Sequence, residues 1–442
     1  MLGTFTIGGV HPPGNKLSSE EKIQALPLPE RVVIPLGQHR GAPATAIVAK
    51  GDVVKAGQLI AQADGFVSAN VHSSVSGTVA SVDGYIDASG FSCPAVTINV
   101  EGDIWLDGID RSKKNECNII QTKENILKLI TDAGIVGMGG ATFPTHVKLS
   151  PPAGSKVEVL IINGVECEPY LTSDHRVMLE RAEDVLVGVQ ILMKVLGVNR
   201  AIIGVESNKK DAIERLQELT GRMLGIEVIS MSVKYPQGSE KQLIKAAINR
   251  SVPSRALPIA VGVVVQNVST ALAVYEAVMK HKPLIERVVT VTGKSLKKPG
   301  NYLCRIGTPT SALIDAAGGL PEDTVKIIGG GPMMGRAMLD VNAPITKGSS
   351  GILLINTKEG TRKPSTTCIR CAKCVSACPM GLEPYLLMVY SEKGMFEGTE
   401  RERIMDCMEC GSCSFTCPAN RPLLDYIRLG KARTGAIIKD RK

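Results

Sequence analysis

Two stretches near the C-terminus share one spacing, C-x2-C-x2-C-x3-C-P: CIRCAKCVSACP with Cys368, Cys371, Cys374 and Cys378, and CMECGSCSFTCP with Cys407, Cys410, Cys413 and Cys417. They gather eight of the twelve cysteines into fifty residues. The opening MLGTFTIGGVHPPGNK has no basic stretch leading into an apolar one, so the chain is expected in the cytoplasm, where disulfides are rare and clustered thiols point to metal. Three thiols at successive x2 spacings suit three corners of a four-iron cubane, and the fourth crosses to the neighbouring cluster, the chain turning away at Pro379 or Pro418. The expected ligand sets are therefore Cys368, Cys371, Cys374 and Cys417 for one [4Fe-4S] cluster, and Cys407, Cys410, Cys413 and Cys378 for the other. Zinc also takes four thiolates, but normally from two C-x2-C knuckles, and iron near eight per chain would separate the two metals.

Between the runs, EPYLLMVYSEKG and TERERIMDC read as helical, giving a helical module of the two-cluster ferredoxin type. Upstream, apolar β-branched runs alternate with amphipathic stretches. VEVLIIN, RAIIGVE, IEVISMSV and IAVGVVVQ are each followed by a helical pattern, the order of a doubly wound parallel sheet. The chain is thus of the α/β multidomain class, and a ligand of the parallel sheet is expected at the carboxyl ends of its strands. The segments there are NGVECEPY (Asn163, Glu166, Glu168), YPQGSE (Tyr235, Gly238, Glu240) and QNV (Asn267). Just before the first strand lies GIVGMGGATFPTHVKLS, with Gly137, Gly139 and Gly140. It matches neither the P-loop nor the Rossmann fingerprint, yet its bare amides can meet a phosphate or a flat ring. Taken singly, these residues also fit a turn, solvated loop carboxylates and a helix cap; their joint placement on one edge is what points to a site.

Six Phe and one Trp are too few for base-stacking platforms, which argues against nucleic acid as a partner despite a net charge of +8. Residues 421–442 carry seven Lys or Arg against two Asp or Glu, a basic end that reads as a solvated helix or a docking tail. No apolar run reaches the roughly 18 residues of a spanning helix, so no transmembrane span is expected.

GMGGATFPTHVKL resembles the flavin-binding loop of the NADH-oxidising flavoprotein subunit of respiratory complex I. NGVECEP, YPQGSEKQL and QNVST resemble three later segments of that subunit, in the same order. The resemblance implies FMN held by Gly137, Gly139, Gly140, Lys148, Asn163, Glu166, Tyr235, Gly238 and Asn267, and NAD(H) contacted by Phe143, Glu168 and Glu240. Two carboxylates of the family pattern are absent, replaced by Val165 and Ser239 on the nucleotide side.

The segment from VAKGDVVKAGQLIAQ onward resembles a biotinyl/lipoyl-type barrel sandwich without the carrier lysine, VHSSVSGTV being free of Lys. Residues 284–358 resemble the small β-grasp (SLBB) domain that follows the flavin domain in the same family; Gly329, Gly330 and Gly331 there read as a turn between strands. The whole order resembles the RnfC family of the Rnf ion-translocating ferredoxin:NAD oxidoreductase complex. It implies an extended segment over 1–30, the barrel sandwich over 31–101, a Rossmann-like FMN/NADH domain over 116–283, the β-grasp over 284–358, a two-cluster ferredoxin domain over 359–430 and a basic tail over 431–442. It also implies FMN, NAD(H) and two [4Fe-4S] clusters as cofactors, with no protein nucleophile or general base. The implied partners are the membrane and iron–sulfur subunits of that complex and, indirectly, ferredoxin, at a peripheral position on the cytoplasmic face of the membrane. Two other assignments stay open on sequence: a corrin reductase of bacterial microcompartments and a non-catalytic iron–sulfur scaffold with a vestigial flavin fold.

Overall fold

The four apolar runs form the strands Val159–Gly164, Ala201–Glu206, Ile226–Met231 and Val263–Asn267 in the computed structural model, which describes residues 2–441. All four are parallel, in the spatial order third, second, first, fourth. The first, second and fourth are buried almost throughout, as strands covered on both faces by helices must be. Helices Ala182–Leu196 and Val268–Lys280 cover one face and pack so closely that a Cβ on Gly188 would lie 2.0 Å from the Ala271 carbonyl oxygen. Helix Glu240–Ile248 covers the other face through Leu243 and Ile244. The strand order reverses between the first and fourth strands, and there Asn163 and Asn267 stand in register at the carboxyl edge. That reversal is the crevice where open α/β sheets bind ligands.

The N-terminal sandwich has two antiparallel sheets. One runs Arg31–Pro35, Ser92–Val100, Gly77–Ile86 and Val53–Val54; the other joins Thr45–Ala46, Leu59–Gln62 and Val71–His72. Val32, Ile34, Ile60, Val71, Val75 and Ile98 fill the space between them. The β-grasp sheet has six strands, one of which corrects the reading of residues 1–30 as merely extended: Ile23–Ala25 adds in parallel to the edge strand Gly300–Arg305. Its backbone completes the sheet edge that Gly300–Arg305 would otherwise expose. Gly330 lies in the turn between the antiparallel strands Thr324–Gly329 and Arg336–Ala337, as expected.

The cysteine runs lie in a helical module whose last helix, Leu423–Asp440, carries the basic end. The boundary expected at residue 430 falls inside that helix. Gly430 packs against Ser391, and the Thr434 and Thr399 hydroxyls bond at 2.6 Å, so the basic residues ride on a packed helix rather than a separate tail. Among the described residues no helix is long and apolar enough to cross a membrane. A strap, residues 3–18, ties the parallel-sheet domain to the cysteine module: Gly3 N–H donates to Ser230 O, Gly9 N–H to Ala377 O, and Val10 and Tyr235 exchange two backbone bonds of 2.9 Å. Gly8, at φ +69°, lies so close to the Cys378 carbonyl that a Cβ there would approach it to 2.4 Å.

Candidate functional site

Cys378, from the first run, lines one cavity together with Cys407, Cys410 and Cys413 from the second; Leu382, Leu387 and Ile427 supply its apolar wall. The crossover inferred from spacing is thus a feature of the fold. Cys374 lies near enough to Cys417 for the two thiols to influence each other electrostatically, which brings together members of the other set. The four thiols of the cavity surround it from different sides, and among the described residues no three ligand-type side chains are grouped for a single metal ion. A tetrahedral zinc site would draw its sulfurs to about 3.8 Å of one another. The two sets differ in setting: Cys378, Cys410 and Cys413 are buried, whereas Cys368 and Cys371 are exposed on a stretch, 361–373, that is exposed throughout.

The glycine loop lies at the carboxyl edge of the sheet. Gly137 N–H donates to Phe143 O at 2.9 Å, closing the loop on itself, and Met138 N–H donates to the Thr270 hydroxyl at 2.9 Å. Gly139 and Gly140 are exposed at its rim. A Cβ on Gly139 would sit 3.1 Å from Asn267 Cβ, and Gly140 has φ +135°, so both positions favour glycine. Asn267 caps helix Val268–Lys280 with its Oδ1 and donates from Nδ2 to Asp174 at 2.7 Å. Burial, reinforced by Glu166, pushes the Asp174 carboxyl up to about 6. Asn163 donates to Gly238 O at 2.7 Å and accepts from Val165 N–H. Lys148 crosses the crevice to Glu240 at 2.8 Å, and both remain partly exposed. Gly137, Gly139, Gly140, Phe143, Lys148, Asn163, Gly238, Glu240 and Asn267 therefore share one edge.

Glu166, Glu168 and Tyr235 turn another way. The Glu166 carboxylate accepts the amides of Asp174 and His175 at 2.8 and 3.2 Å, capping helix Ser173–Glu180. Glu168 Oε1 accepts the amides of Met333 and Met334, at 2.6 and 3.0 Å, from the β-grasp turn, and burial raises its pKa. Tyr235 Oη donates to Cys410 O at 2.8 Å, and burial keeps this phenol protonated, well above its usual range. The direct flavin and nucleotide contacts expected of these three are thus replaced by bonds across a seam joining the parallel-sheet, β-grasp and cysteine domains.

Comparison with known proteins places this geometry. Residues 4–103 match the RnfC barrel sandwich hybrid domain, 130–276 the Nuo51 FMN-binding domain, 288–337 the SLBB domain and 361–418 a 4Fe-4S dicluster domain. The chain is 47% identical over 439 residues to the RnfC-type component of the proton-translocating ferredoxin:NAD(+) oxidoreductase complex of Clostridium ljungdahlii, covering 99% of this chain and 95% of the relative. It is 46% identical over 435 residues to the corresponding component of the Na(+)-translocating complex of Acetobacterium woodii, covering 97% and 96%. The chain belongs to the RnfC family. An NAD+-reducing [NiFe]-hydrogenase in the air-oxidised state shares the fold of this RnfC family member at TM-score 0.51 and 18% identity, over 71% of this chain and 66% of that one.

Several residues that hold the RnfC-family site together carry no motif to read. Lys16 Nζ donates to the carbonyls of Glu166, Glu168 and Leu171 at 2.9, 2.9 and 2.6 Å, fixing the NGVECEPY turn from the N-terminal strap. Cys167 is buried against Gly238, whose amide approaches its sulfur at 3.3 Å, and burial pushes its thiol up to about 12, so it stays protonated. Cys167, Val10, Ala377, Met333 and Met408 pack around Tyr235 and Cys410 in a small core between the glycine edge and the buried cysteine cavity. Only the strap lysine has a sequence signal of any kind, its place in GGVHPPGNK.

Proposed function

We propose that the chain is the NAD(H)-linked subunit of an ion-translocating ferredoxin:NAD oxidoreductase, peripheral to the membrane on its cytoplasmic face. The observation that carries this reading is the joint placement of an open glycine rim at the switch point of the parallel sheet and a four-cysteine cavity across one thin apolar layer. The residues fit FMN: the amides at Gly139 and Gly140 are exposed, side-chain-free positions suit close approach of phosphate or ring, and Asn163 and Asn267 flank them. FMN, when bound, connects two-electron hydride exchange with NAD(H) to single-electron transfer. Gly137, Gly139, Gly140, Lys148, Asn163, Gly238 and Asn267 would hold it, with Glu166 and Tyr235 supporting them from behind. Phe143 and Glu240 border the open side, where the nicotinamide nucleotide would enter, and Glu168 serves the frame.

The eight cysteines suit two [4Fe-4S] clusters. In this reading the set with Cys410 is nearest the flavin edge, because Tyr235 bonds to its backbone and Gln242, on the helix that begins at Glu240, bonds to Pro379 O at 3.1 Å. The set with the exposed Cys368 and Cys371 then faces the membrane and iron–sulfur partner subunits. The buried core around Tyr235 and Cys410 keeps water out of the path from the flavin edge to the first set.

An anaerobic absorbance spectrum of the purified chain, before and after NADH, tests the reading. Released FMN, with a broad iron–sulfur band that bleaches on NADH, is the expected result. Clusters without flavin would transfer the assignment to a scaffold. In the same preparation Glu240→Ala is expected to slow reduction by limiting NADH about 10- to 100-fold, the effect of one charged hydrogen bond, while FMN content stays constant. An unchanged rate would remove Glu240 from the nucleotide side.

A further inference from the structure

Beneath the glycine loop the β-grasp domain buries two basic side chains whose hydrogen-bond partners are backbone carbonyls. Arg287 is 3% exposed; its Nη2 donates to Met138 O at 2.7 Å and its Nη1 to Lys347 O, while Nε has no partner. Lys347 is 1% exposed and donates from Nζ to Gly134 O at 2.8 Å and to Asn70 O at 2.7 Å. Thus one lysine joins the sandwich, the foot of the glycine loop and the β-grasp. Desolvation costs several kcal/mol for a buried ion, and a carbonyl can be satisfied by a neutral donor. A guanidinium at this place calls for a reason beyond closing a turn.

The peptide plane after Met138 supplies it. Met138 is held at its N–H by Thr270 and at its carbonyl by Arg287, so the residue cannot rotate without losing both bonds. In a planar trans peptide the C=O of one residue and the N–H of the next point in opposite directions. Turning the Met138 carbonyl inward to Arg287 therefore turns the Gly139 N–H outward, to the exposed rim shared with Gly140. The same guanidinium sets a positive charge directly under that amide. Asp174, the carboxylate acting most on Arg287, is already bonded by Asn267 and by the Ser269 hydroxyl.

We propose that Arg287 is a positioning residue for the flavin phosphate: it aims the Gly139 amide and supplies buried positive charge beneath it, while Lys347 anchors the foot of the same loop at Gly134. This role rests on the flavin reading above. Burial lowers Arg287 to about 10, so it remains charged at neutral pH. Burial lowers Lys347 to about 7, and its neutral amine still carries two N–H bonds for its two carbonyls.

The test compares FMN with riboflavin, which lacks the phosphate, by fluorescence titration of the full chain freed of flavin. Arg287→Met is expected to weaken FMN at least tenfold and riboflavin less than twofold, with iron content unchanged. Arg287→Lys keeps the charge but cannot span both carbonyls, and is expected to recover part of the preference for FMN. Equal weakening of both flavins, or FMN affinity within twofold of the parent, overturns the proposal. Should Arg287→Met not fold, Arg287→Lys decides: a preference at least threefold below the parent supports the role, and an unchanged one overturns it. A parent chain that binds neither flavin overturns the flavin reading itself, a result distinct from either.

Discussion

Cys378→Ser is expected to remove the cluster of the second cysteine run although the mutation lies in the first. Cys378 lines the cavity formed with Cys407, Cys410 and Cys413, so its loss leaves three thiols for that cubane and leaves Cys368, Cys371, Cys374 and Cys417 intact. Iron is expected to fall from about eight to about four per chain, with one of two EPR-active centres lost. The buried setting enlarges the effect, because Leu382, Leu387 and Ile427 close the cavity against an outside ligand that could replace the missing sulfur. The parallel change at Cys417 should remove the other, exposed centre. If Cys378→Ser instead abolished the signal that Cys368→Ser abolishes, each run would bind its own cluster and the proposed order from flavin edge to buried set to exposed set would have no structural basis. The backbone bond from Gly9 to Ala377 lies beside this position, so the N-terminal strap is expected to loosen along with the cluster.

What could be read in advance follows from how local each feature is. The cysteine crossover was legible because the spacing C-x2-C-x2-C-x3-C-P contains its own geometry. The parallel sheet was legible because β-branched runs such as VEVLIIN, followed by helical periods, leave few alternatives, and the strand ends then named Asn163 and Asn267 as neighbours. The strand Ile23–Ala25 was not legible: it is three residues long, half exposed, and acquires strand geometry only by pairing with Gly300–Arg305, far away in the chain. The orientation of Glu168 was hidden for the same reason. A carboxylate in a strand-end loop looks like a ligand until the turn holding Met333 and Met334 is brought against it by tertiary packing. Arg287 and Lys347 sat in the β-grasp sequence as ordinary basic residues, one in a strand and one in a loop. Their significance comes from burial, and no local pattern encodes that a lysine at 347 will end among Asn70, Gly134 and Gln38.

Glu168→Ala separates the sequence expectation from the structural one, because the two predict different losses. If Glu168 serves the nucleotide, the substitution raises the apparent KM for NADH and leaves the domains in place. In the structure its carboxylate is the acceptor for Met333 N–H and Met334 N–H and faces the Tyr235 hydroxyl, all at a seam from which water is excluded. Each buried donor left without an acceptor costs about 1–3 kcal/mol, so the expected loss for the two amides together is about 2–6 kcal/mol. It falls on the docking of the β-grasp turn, and faster amide hydrogen exchange over residues 330–335 reports it. A side chain also vanishes from against Gly331, where a Cβ would lie only 2.1 Å from Glu168 Cγ, so the turn gains room as well as losing its anchor. Tyr235 keeps its bond to Cys410 O, and the KM for NADH is expected to stay within twofold while electron passage from flavin to the buried cluster slows. Glu168→Gln retains a carbonyl oxygen for the two amides and should fall between the parent and Glu168→Ala in exchange. A tenfold rise in KM with exchange at 330–335 unchanged would return Glu168 to the nucleotide side and leave the seam without its anchor.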